Sequence, residues 1–232
     1  MRLHVFDSVA NMEKKIICII SGGSVKVEFL KKFLNELFCE NACPYVICVD
    51  GGLQYAYEAG ISVDEIVGDF DTISSEILEH YKEQNTPIRQ FNPIKDSTDT
   101  DIALEVALSK KPECIYVLGG IGSRMDHTLG NIHILKKTLS SKVKTYLIDE
   151  NNRISMIDSS IQIKKEETYG DYISFIPFTE KIENLSLRGF KYPLEDCTMV
   201  FGESLGISNE IVDMTAEVVL GKGILLVIES LD

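Results

Sequence analysis

Cys114-Ile-Tyr-Val-Leu-Gly-Gly-Ile-Gly-Ser-Arg-Met-Asp-His127 is the stretch that decides the fold, because it passes from an apolar run through glycines into a helical pattern. Cys114–Leu118 is short and largely apolar, as is typical of a strand that is buried on both faces. Beyond the glycine-rich loop, apolar residues recur at helical spacing from Leu129 to Leu139. Strand, glycine loop and helix in this order predict one unit of an α/β sheet.

The same order recurs along the chain from Lys15 to Ile148. The other short apolar runs that we predict as strands are Ile16–Ile20, Tyr45–Val49, Ile66–Val67, Ile88–Phe91 and Val143–Ile148. Because amphipathic helical patterns separate these runs, the fold class is α/β, with a Rossmann-like, mainly parallel sheet and helices on both faces. Ligands of such sheets bind beyond the carboxyl ends of the strands, and most of the Gly and Asp clusters of the chain fall at that end.

The pattern changes after Ile157, where short β-rich segments alternate with turn residues. We predict strands at Ile161–Lys164, Tyr172–Pro177, Ile182–Leu187, Thr198–Phe201, Ala216–Leu220 and Ile224–Ile228. These segments indicate a small all-β sandwich, with Gly221-Lys-Gly223 as a hairpin turn. The sequence thus predicts two domains, an α/β domain over residues 12–152 and a β-sandwich over residues 153–232. Residues 1–11 do not fit the opening of the first strand.

Composition limits the classes of partner. The 232 residues are 44% hydrophobic and 25% charged, as in ordinary globular proteins. The 36 acidic and 23 basic residues give a net charge of -13, which argues against nucleic acid and anionic membranes as partners. No apolar run has the length of a membrane span, and the first residues lack the apolar middle of a signal peptide. The six cysteines form no CxxC pair, so we expect structural thiols and a cytoplasmic location.

Paired carboxylates follow the third predicted strand. In Gly68-Asp-Phe-Asp71, Asp69 and Asp71 point to the same side if the segment stays extended. Carboxylates so placed suit Mg²⁺, a hard cation that takes oxygen ligands together with water and substrate phosphates. A solvated turn is the alternative interpretation of one such pair.

Two more acidic residues stand in Asp96-Ser-Thr-Asp99, before a helical pattern. Ser97 or Thr98 can cap that helix, and acidic residues, Asp101 among them, suit its positive end. Capping accounts for Asp101, but Asp96 and Asp99 exceed what a cap requires. Because their strand follows that of Asp69 and Asp71 in sequence, we expect Asp96 and Asp99 across the same crevice.

The glycine-rich loop is the candidate phosphate site. At Gly119 and Gly120 the backbone can approach phosphate oxygens, and the following helix start supplies N–H donors. Arg124 can form a fork to phosphate, whereas Asp126 can cap the helix or touch the metal. His127 is a candidate ligand contact or simply a polar residue at a helix start. The loop matches neither a dinucleotide GxGxxG motif nor a P-loop.

Two other strand ends carry glycines at the same rim, in Ser21-Gly-Gly23 and Asp50-Gly-Gly52. Either segment can serve only as the tight turn that a strand–helix connection needs. Asp50 and Gly51 are nevertheless candidate nucleotide contacts because of their position at this rim.

Taken in order, these motifs resemble those of the thiamine pyrophosphokinase family. The matching segments are Asp50-Gly-Gly52, Gly68–Asp71, Asp96–Asp99, Leu118–His127, Leu129–Leu135 with Asn131, Asn151-Asn152, Leu187-Arg-Gly-Phe-Lys-Tyr-Pro-Leu194 and Ser204-Leu-Gly-Ile-Ser-Asn209. The similarity covers the chain from about Lys15 to its end. Some relatives stack the substrate on tryptophan, which this chain lacks, and Tyr192 or a phenylalanine is a candidate replacement. Lys95 and Ser123 stand where the resemblance leads us to expect Gln and Gly.

The resemblance implies a homodimer with thiamine bound between the subunits, and transfer of pyrophosphate from ATP to the thiamine hydroxyl, which yields AMP and thiamine diphosphate. It implies nucleotide binding and catalysis in the α/β domain and thiamine binding in the sandwich. Carried onto matching positions, Asp69, Asp71 and Asp99 hold Mg²⁺ and phosphates, Arg124 and Asp126 help to bind ATP, Asp50 lies near the substrate, and Ser208 and Asn209 contact thiamine across the interface.

The expected mechanism is in-line attack of the thiamine hydroxyl on the β-phosphorus, with AMP leaving and charge neutralised by Mg²⁺ and Arg124. Asp71, Asp99 and Arg124 are the candidate catalytic residues, and Asp99 is our hypothesis for the group that accepts or orients the hydroxyl proton. Two alternatives stay open. One is a Mg-dependent sugar-nucleotide transferase, since Asp-Phe-Asp also matches a DxD metal motif. The other is a non-catalytic nucleotide or thiamine sensor on the same fold.

Overall fold

The computed structural model describes residues 16–39, 43–70, 73–90 and 97–232. Strands and helices alternate up to Ile148, as the sequence predicts. The elements of this part are β1 Ile16–Ile20, α1 Val27–Cys39, β2 Tyr45–Val49, α2 Gly52–Ala59, β3 Glu65–Gly68, α3 Ser75–Glu83, β4 Ile88–Gln90, α4 Asp99–Ser109, β5 Cys114–Leu118, α5 Met125–Ser141 and β6 Lys144–Ile148.

These six strands form a parallel sheet in the order β4-β3-β2-β1-β5-β6. The chain adds β2, β3 and β4 on one side of β1 and then returns to place β5 and β6 on the other side. The connections therefore diverge between β1 and β5, whose last residues Ile20 and Leu118 are paired. In an open parallel sheet such a switch point leaves a crevice beyond the carboxyl ends of the strands.

Both faces of the parallel sheet are covered by helices, which explains the continuous apolar runs. Along β1, Ile17 and Ile19 pack in a core shared with α4 and α5, whereas Cys18 and Ile20 pack in a core shared with α1, α2 and α3. All four side chains are fully buried. The predicted α/β fold class is confirmed.

The second part of the chain consists of antiparallel strands. They are β7 Asn152–Ile157, β8 Ile161–Lys164, β9 Tyr172–Pro177, β10 Lys181–Arg188, β11 Leu194–Val200, β12 Thr215–Val219 and β13 Leu225–Ser230, with a 3-10 turn at Lys165–Glu167. A four-stranded sheet in the order β11-β10-β12-β8 faces β7, β13 and β9. Side chains from both layers, including Phe175, Leu187 and Val227, form a separate apolar core. The predicted second, all-β part is confirmed.

One strand, β7, is not among those predicted from the sequence, and it joins the two parts of the chain. It pairs antiparallel with β6, through Ile148 with Arg153 and Leu147 with Ile154, and it also pairs with β13. The sheet therefore continues through β7, β13 and β9 to nine strands and crosses the predicted domain boundary after Asn152.

The hairpin predicted at Gly221-Lys-Gly223 is wrong. The flanking strands β12 and β13 belong to different sheets and do not pair with each other. Leu220 and Leu225, on either side of the turn, are both buried in the core of the sandwich. The turn therefore carries the chain from one layer to the other across the end of that core.

A buried ion pair fastens β7 to β13. Arg153 donates to both carboxylate oxygens of Glu229, at 2.8 and 2.5 Å, and the backbone N–H of Tyr169 donates to the same carboxylate at 2.9 Å. The Glu229 side chain is only 7% exposed, so its charge depends on these partners.

Across the described ranges, no helix combines the length and apolarity that a membrane crossing requires.

Candidate active site

A cleft of about 870 Å³ opens at the switch point between β1 and β5. It is bounded by the loops that follow β1, β2 and β5 and by the first turns of α4 and α5. Seven of the candidate catalytic, nucleotide-binding and metal-binding residues line it, namely Asp50, Gly51, Asp99, Gly119, Gly120, Arg124 and His127. The remaining candidates do not line this cleft or lie outside the described residues.

Glycines let the loops after β1 and β5 pack backbone against backbone. The N–H of Gly23 donates to the carbonyl oxygen of Gly119 at 3.1 Å, and a Cβ on Gly23 would lie 2.2 Å from that oxygen. Gly119 itself has a φ of 70°, a conformation that favours glycine. Ser21-Gly-Gly23 thus does more than turn the chain, because it supports one wall of the cleft.

Two side chains of α5 hold the glycine loop after β5 in place. Asn131, 7% exposed, donates from Nδ2 to the carbonyl oxygen of Gly120 at 2.8 Å. The buried Thr128 accepts at Oγ1 from the N–H of Gly122 at 3.1 Å. The loop is therefore fixed at a helix N-terminus, where backbone N–H groups and the helix dipole favour an anion.

Asp50 is the most perturbed carboxylate of the cleft. It follows β2 with a positive φ of 41°, and its Oδ1 accepts the N–H of Asp69 at 3.2 Å, which links the ends of β2 and β3. Burial, then the negative charges of Asp99 and Asp69, raise the pKa of Asp50 to about 6. This corner of the cleft thus has a negative potential.

Asp99 is the first residue of α4. Thr98 is the N-cap, and its Oγ1 accepts the N–H of Asp101 at 3.2 Å, as predicted for one of the two candidate caps. The Asp101 carboxylate is 12% exposed and pairs with Lys137 of α5 at 2.5 Å. Asp101 therefore has a structural role, in agreement with its interpretation as a residue of the helix start.

The candidate metal ligands are only partly described. Asp71 lies outside the described residues, as does the substrate-binding candidate Asp96, whereas Asp69 and Asp99 both act on Asp50 through their charge. Within the ranges that the structure covers, no three His, Cys, Asp or Glu side chains are grouped so that they could hold a metal ion.

Arg124 and Asp126 form an exposed ion pair at the start of α5. The Arg124 Nη2 donates to the Asp126 carboxylate at 2.6 Å, which raises the pKa of Arg124 and lowers the pKa of Asp126. The N-cap of α5 is Arg124, and it makes no side-chain capping hydrogen bond. Since Arg124 lines the cleft and its pair is exposed, the guanidinium can turn to a phosphate at little cost.

Ser208 and Asn209 belong to the sandwich and do not line the cleft of the same chain. Ser208 has a φ of 55°, and its N–H donates to Ser174 Oγ at 3.0 Å. Asn209 is 3% exposed, and its side-chain amide makes two hydrogen bonds to the backbone of Tyr192. Its Oδ1 accepts from the N–H of Tyr192 at 3.0 Å, and its Nδ2 donates to the carbonyl oxygen of Tyr192 at 2.8 Å. The buried amide thereby fixes the backbone of a residue whose ring is 58% exposed.

Sequence patterns did not predict Gln54, Tyr55 or Thr100 as residues of the cleft. They indicated Ser21 only as part of a turn and Thr98 only as a helix cap. Tyr55 fits the apolar face of α2, so periodicity alone assigns it to the core. Only the position of α2 after Asp50, at the same strand end, could have indicated that this ring reaches the cleft.

Comparison with known proteins identifies the family. The pattern described as "Thiamin pyrophosphokinase, catalytic domain" matches residues 38–147, and "Thiamin pyrophosphokinase, vitamin B1 binding domain" matches residues 158–225. The chain belongs to the thiamine pyrophosphokinase family. The family resemblance drawn from the motifs is thereby confirmed.

Relatives in this family share most of the chain. A thiamine pyrophosphokinase of Bacillus subtilis (strain 168) is 41% identical over 187 residues, which cover 80% of this chain and 87% of the relative. Thiamin pyrophosphokinase 1 of Caenorhabditis elegans is 26% identical over 178 residues, 74% of this chain and 73% of the relative.

Solved structures of the family share the fold. The crystal structure of thiamine pyrophosphokinase from Bacillus subtilis superposes with a TM-score of 0.83 at 38% identity, covering 94% of this chain and 100% of that chain. The crystal structure of thiamin pyrophosphokinase from Geobacillus thermodenitrificans superposes with a TM-score of 0.80 at 28% identity, covering 94% of this chain and 98% of that chain.

Proposed function

We propose that this protein transfers pyrophosphate from ATP to the hydroxyl of thiamine and releases thiamine diphosphate and AMP. The observation that carries the proposal is the cleft at the switch point, which brings a glycine loop and Arg124 opposite the Asp50 and Asp99 carboxylates in a member of the thiamine pyrophosphokinase family. An ATP-dependent transfer needs these two surfaces, one for phosphates and one acidic, on either side of the reacting groups.

The phosphate side of the cleft is formed by backbone and one cation. We assign the triphosphate to the loop from Gly119 to Gly122, at the N-terminus of α5, with Gly51 and His127 as further nucleotide contacts. Arg124 exchanges its exposed partner Asp126 for a phosphate oxygen and stabilises charge on the transferring group. Once released from this pair, Asp126 is available as a further nucleotide contact.

The acidic side has the donor chemistry of a magnesium site. The charges of Asp69 and Asp99 both disfavour ionisation of Asp50, so a divalent cation would relieve a repulsion that the fold maintains. We assign Asp69, Asp71 and Asp99 as the residues that would hold Mg²⁺. When bound, the ion would neutralise phosphate charge and polarise the transferring group. Asp50 and Asp96 are assigned to substrate binding, and Asp99 is assigned to orient or accept the proton of the thiamine hydroxyl.

Thiamine binding between two subunits is part of the proposal. Apolar side chains stand exposed on the sandwich, where the candidates Ser208 and Asn209 also lie; they are Tyr192, Phe201, Leu205, Ile207, Val212 and Met214. Exposed apolar groups favour burial against a second copy, and a two-fold dimer would offer Ser208 of one chain to the cleft of the other. Tyr192, with its clamped backbone, is our candidate for the ring that stacks on thiamine.

A cytoplasmic location also belongs to the proposal. Cys18 and Cys48 are free thiols in the core, as expected in a reducing compartment.

The test of the reaction is incubation with ATP, Mg²⁺ and thiamine, followed by measurement of AMP and thiamine diphosphate. We expect both products in equal amounts, none in EDTA, and strong loss of turnover in Asp99→Asn. Asp158→Asn, an exposed aspartate after β7, is the matched control and should keep full activity. Release of a nucleoside diphosphate from a sugar nucleotide would favour the transferase alternative, and binding of ATP and thiamine without products would favour the sensor.

The shared site is tested by subunit complementation. Asp99→Ala and Asn209→Ala should each be inactive, but an equal mixture that exchanges subunits should regain about a quarter of wild-type activity, because half the dimers carry one intact site of two. A mixture that stays inactive although heterodimers form would contradict a site built from both chains.

A further inference from the structure

Two buried hydroxyls meet on the floor of the cleft. Ser21 follows β1 and is 5% exposed, and Thr100 is the second residue of α4 and is 7% exposed. Their Oγ and Oγ1 atoms are 2.6 Å apart, although 79 residues separate them in the chain. A hydrogen bond between buried hydroxyls satisfies groups that would otherwise be costly to bury, so it fixes the two elements against each other.

Ser21 is a firm anchor because its backbone is part of the sheet. Its N–H donates to the carbonyl oxygen of Leu118 at 2.8 Å, which extends the pairing of β1 with β5 by one residue. The next anchor, Gly23 to Gly119, follows two residues later at 3.1 Å. A side chain attached to Ser21 therefore has a position set by the two central strands.

The first turn of α4 is tied on its other side as well. Asp101 is paired with Lys137 of α5, and Thr98 closes the helix start. Asp99 lies between Thr98 and Thr100, so a shift of Thr100 must move Asp99. The bond from Thr100 to Ser21 joins this turn to the end of β1, and the side chain of Asp99 joins it to Asp50 at the end of β2.

We propose that the Ser21–Thr100 hydrogen bond is a positioning contact, which holds Asp99 at a set place relative to Asp50 in the acidic corner of the cleft. The proposal rests on the proposed function for its kinetic consequence but not for its structural one. Neither hydroxyl belongs to the motifs by which the family is recognised in this sequence.

The position of Asp99 matters because its carboxyl group acts directly on Asp50. The two side chains interact both through charge and through a hydrogen bond, so a change in their separation alters the acidic corner of the cleft. The apolar face of α4 packs on the sheet, and the bond from Thr100 to Ser21 adds a fixed point at the start of the helix. Because a misplacement of about 1 Å can cost on the order of 100-fold in rate, a restraint on Asp99 has a kinetic value.

The variants that test the contact differ by single groups. Thr100→Val keeps the shape and removes the hydroxyl, Thr100→Ser keeps the hydroxyl, and Ser21→Ala removes its partner. The matched control is Thr138→Val, because Thr138 is 3% exposed and its hydroxyl donates to the carbonyl oxygen of Leu135 at 2.7 Å inside α5, away from the cleft.

The first measurement is amide hydrogen exchange of the ligand-free protein, which needs no activity. We expect exchange at residues 99–102 to accelerate by about 10-fold in Thr100→Val and in Ser21→Ala, with no change in Thr100→Ser or Thr138→Val. The double variant should exchange no faster than either single variant, since both remove the same bond. Unchanged exchange in Thr100→Val would overturn the proposal.

The second measurement is steady-state kinetics. Thr100→Val should lower kcat by about 10-fold or more while the KM for ATP changes less than about threefold, and Thr100→Ser should restore kcat to within about threefold. An equal fall in kcat for Thr138→Val would show a general loss of stability and would also overturn it. If wild-type protein forms no thiamine diphosphate, the proposed function fails, and the exchange result alone decides whether the contact positions α4.

Discussion

Alanine in place of Gly23 would put a methyl group 2.2 Å from the carbonyl oxygen of Gly119. Ordinary contact begins at about 3.4 Å, so the two loops must separate by about 1.2 Å, the difference of these distances. Neither atom belongs to a flexible side chain, and Gly23 does not have a positive φ, so the strain comes from the contact alone.

The magnitude follows from the place of this contact at the centre of the cleft. Overpacking lowers the free energy of unfolding by about 1–3 kcal/mol, and each kcal/mol lost lowers Tm by about 2–4 °C in a protein of this length. The separation also moves the loop assigned to the phosphates by about 1 Å, which can cost on the order of 100-fold in rate. We therefore expect Gly23→Ala to lower Tm by about 2–12 °C and kcat/KM by about 100-fold.

Calorimetry and AMP release measure these two effects, and Gly130→Ala is the control. Gly130 lies within α5, and no atom lies within 4 Å of the place that a methyl group there would take. Alanine at this position should leave activity unchanged and stabilise the helix by up to about 1 kcal/mol. Wild-type Tm and kcat/KM in Gly23→Ala would refute the reasoning that backbone contact between the two loops shapes the cleft.

Two other predictions concern charge. Because the pKa of Asp50 is raised from 3.8 to about 6, the folded state binds more protons than the unfolded state between these values, and this group's contribution to stability falls as pH rises through them. In EDTA, the Tm of Asp50→Asn minus the Tm of the wild type should therefore increase between about pH 4.5 and about pH 7.5. If this difference in Tm stays constant over the range, the pKa of Asp50 is not raised. Arg153→Met leaves Glu229 buried without its cation, so the free energy of unfolding, measured by denaturant titration, should fall by about 3–5 kcal/mol. The double variant Arg153→Met with Glu229→Leu should recover part of this loss. Lys164→Met, which breaks an exposed pair, should leave Tm unchanged.

The sequence predicts the parallel strands well because burial on both faces makes them continuously apolar. Ile16–Ile20, Tyr45–Val49 and Cys114–Leu118 have the bounds expected from their runs. The cleft could also be placed, since the Gly and Asp clusters follow these strands. Asp50, Asp99 and Arg124 do line it.

Contacts over long sequence separations could not be predicted. Periodicity does not show that Ser21 meets Thr100, that the amide of Asn209 supports Tyr192, or that β7 pairs with β13. The hairpin expected at Gly221-Lys-Gly223 failed for a related reason, because turn chemistry does not reveal which layer the next strand joins. Each of these features depends on the assembled sheets rather than on local preference.

The ladder from β6 through β7 to β13 has a mechanical consequence. A swivel of the sandwich relative to the cleft would have to break the backbone pairing of Ile148 with Arg153 and of Leu147 with Ile154. In enzymes whose two domains are joined by a linker, the domains can close around a substrate. Here both parts of the chain contribute strands to one continuous nine-stranded sheet. Capture of the substrate must then come from short loops at the rim or from the arrival of another chain.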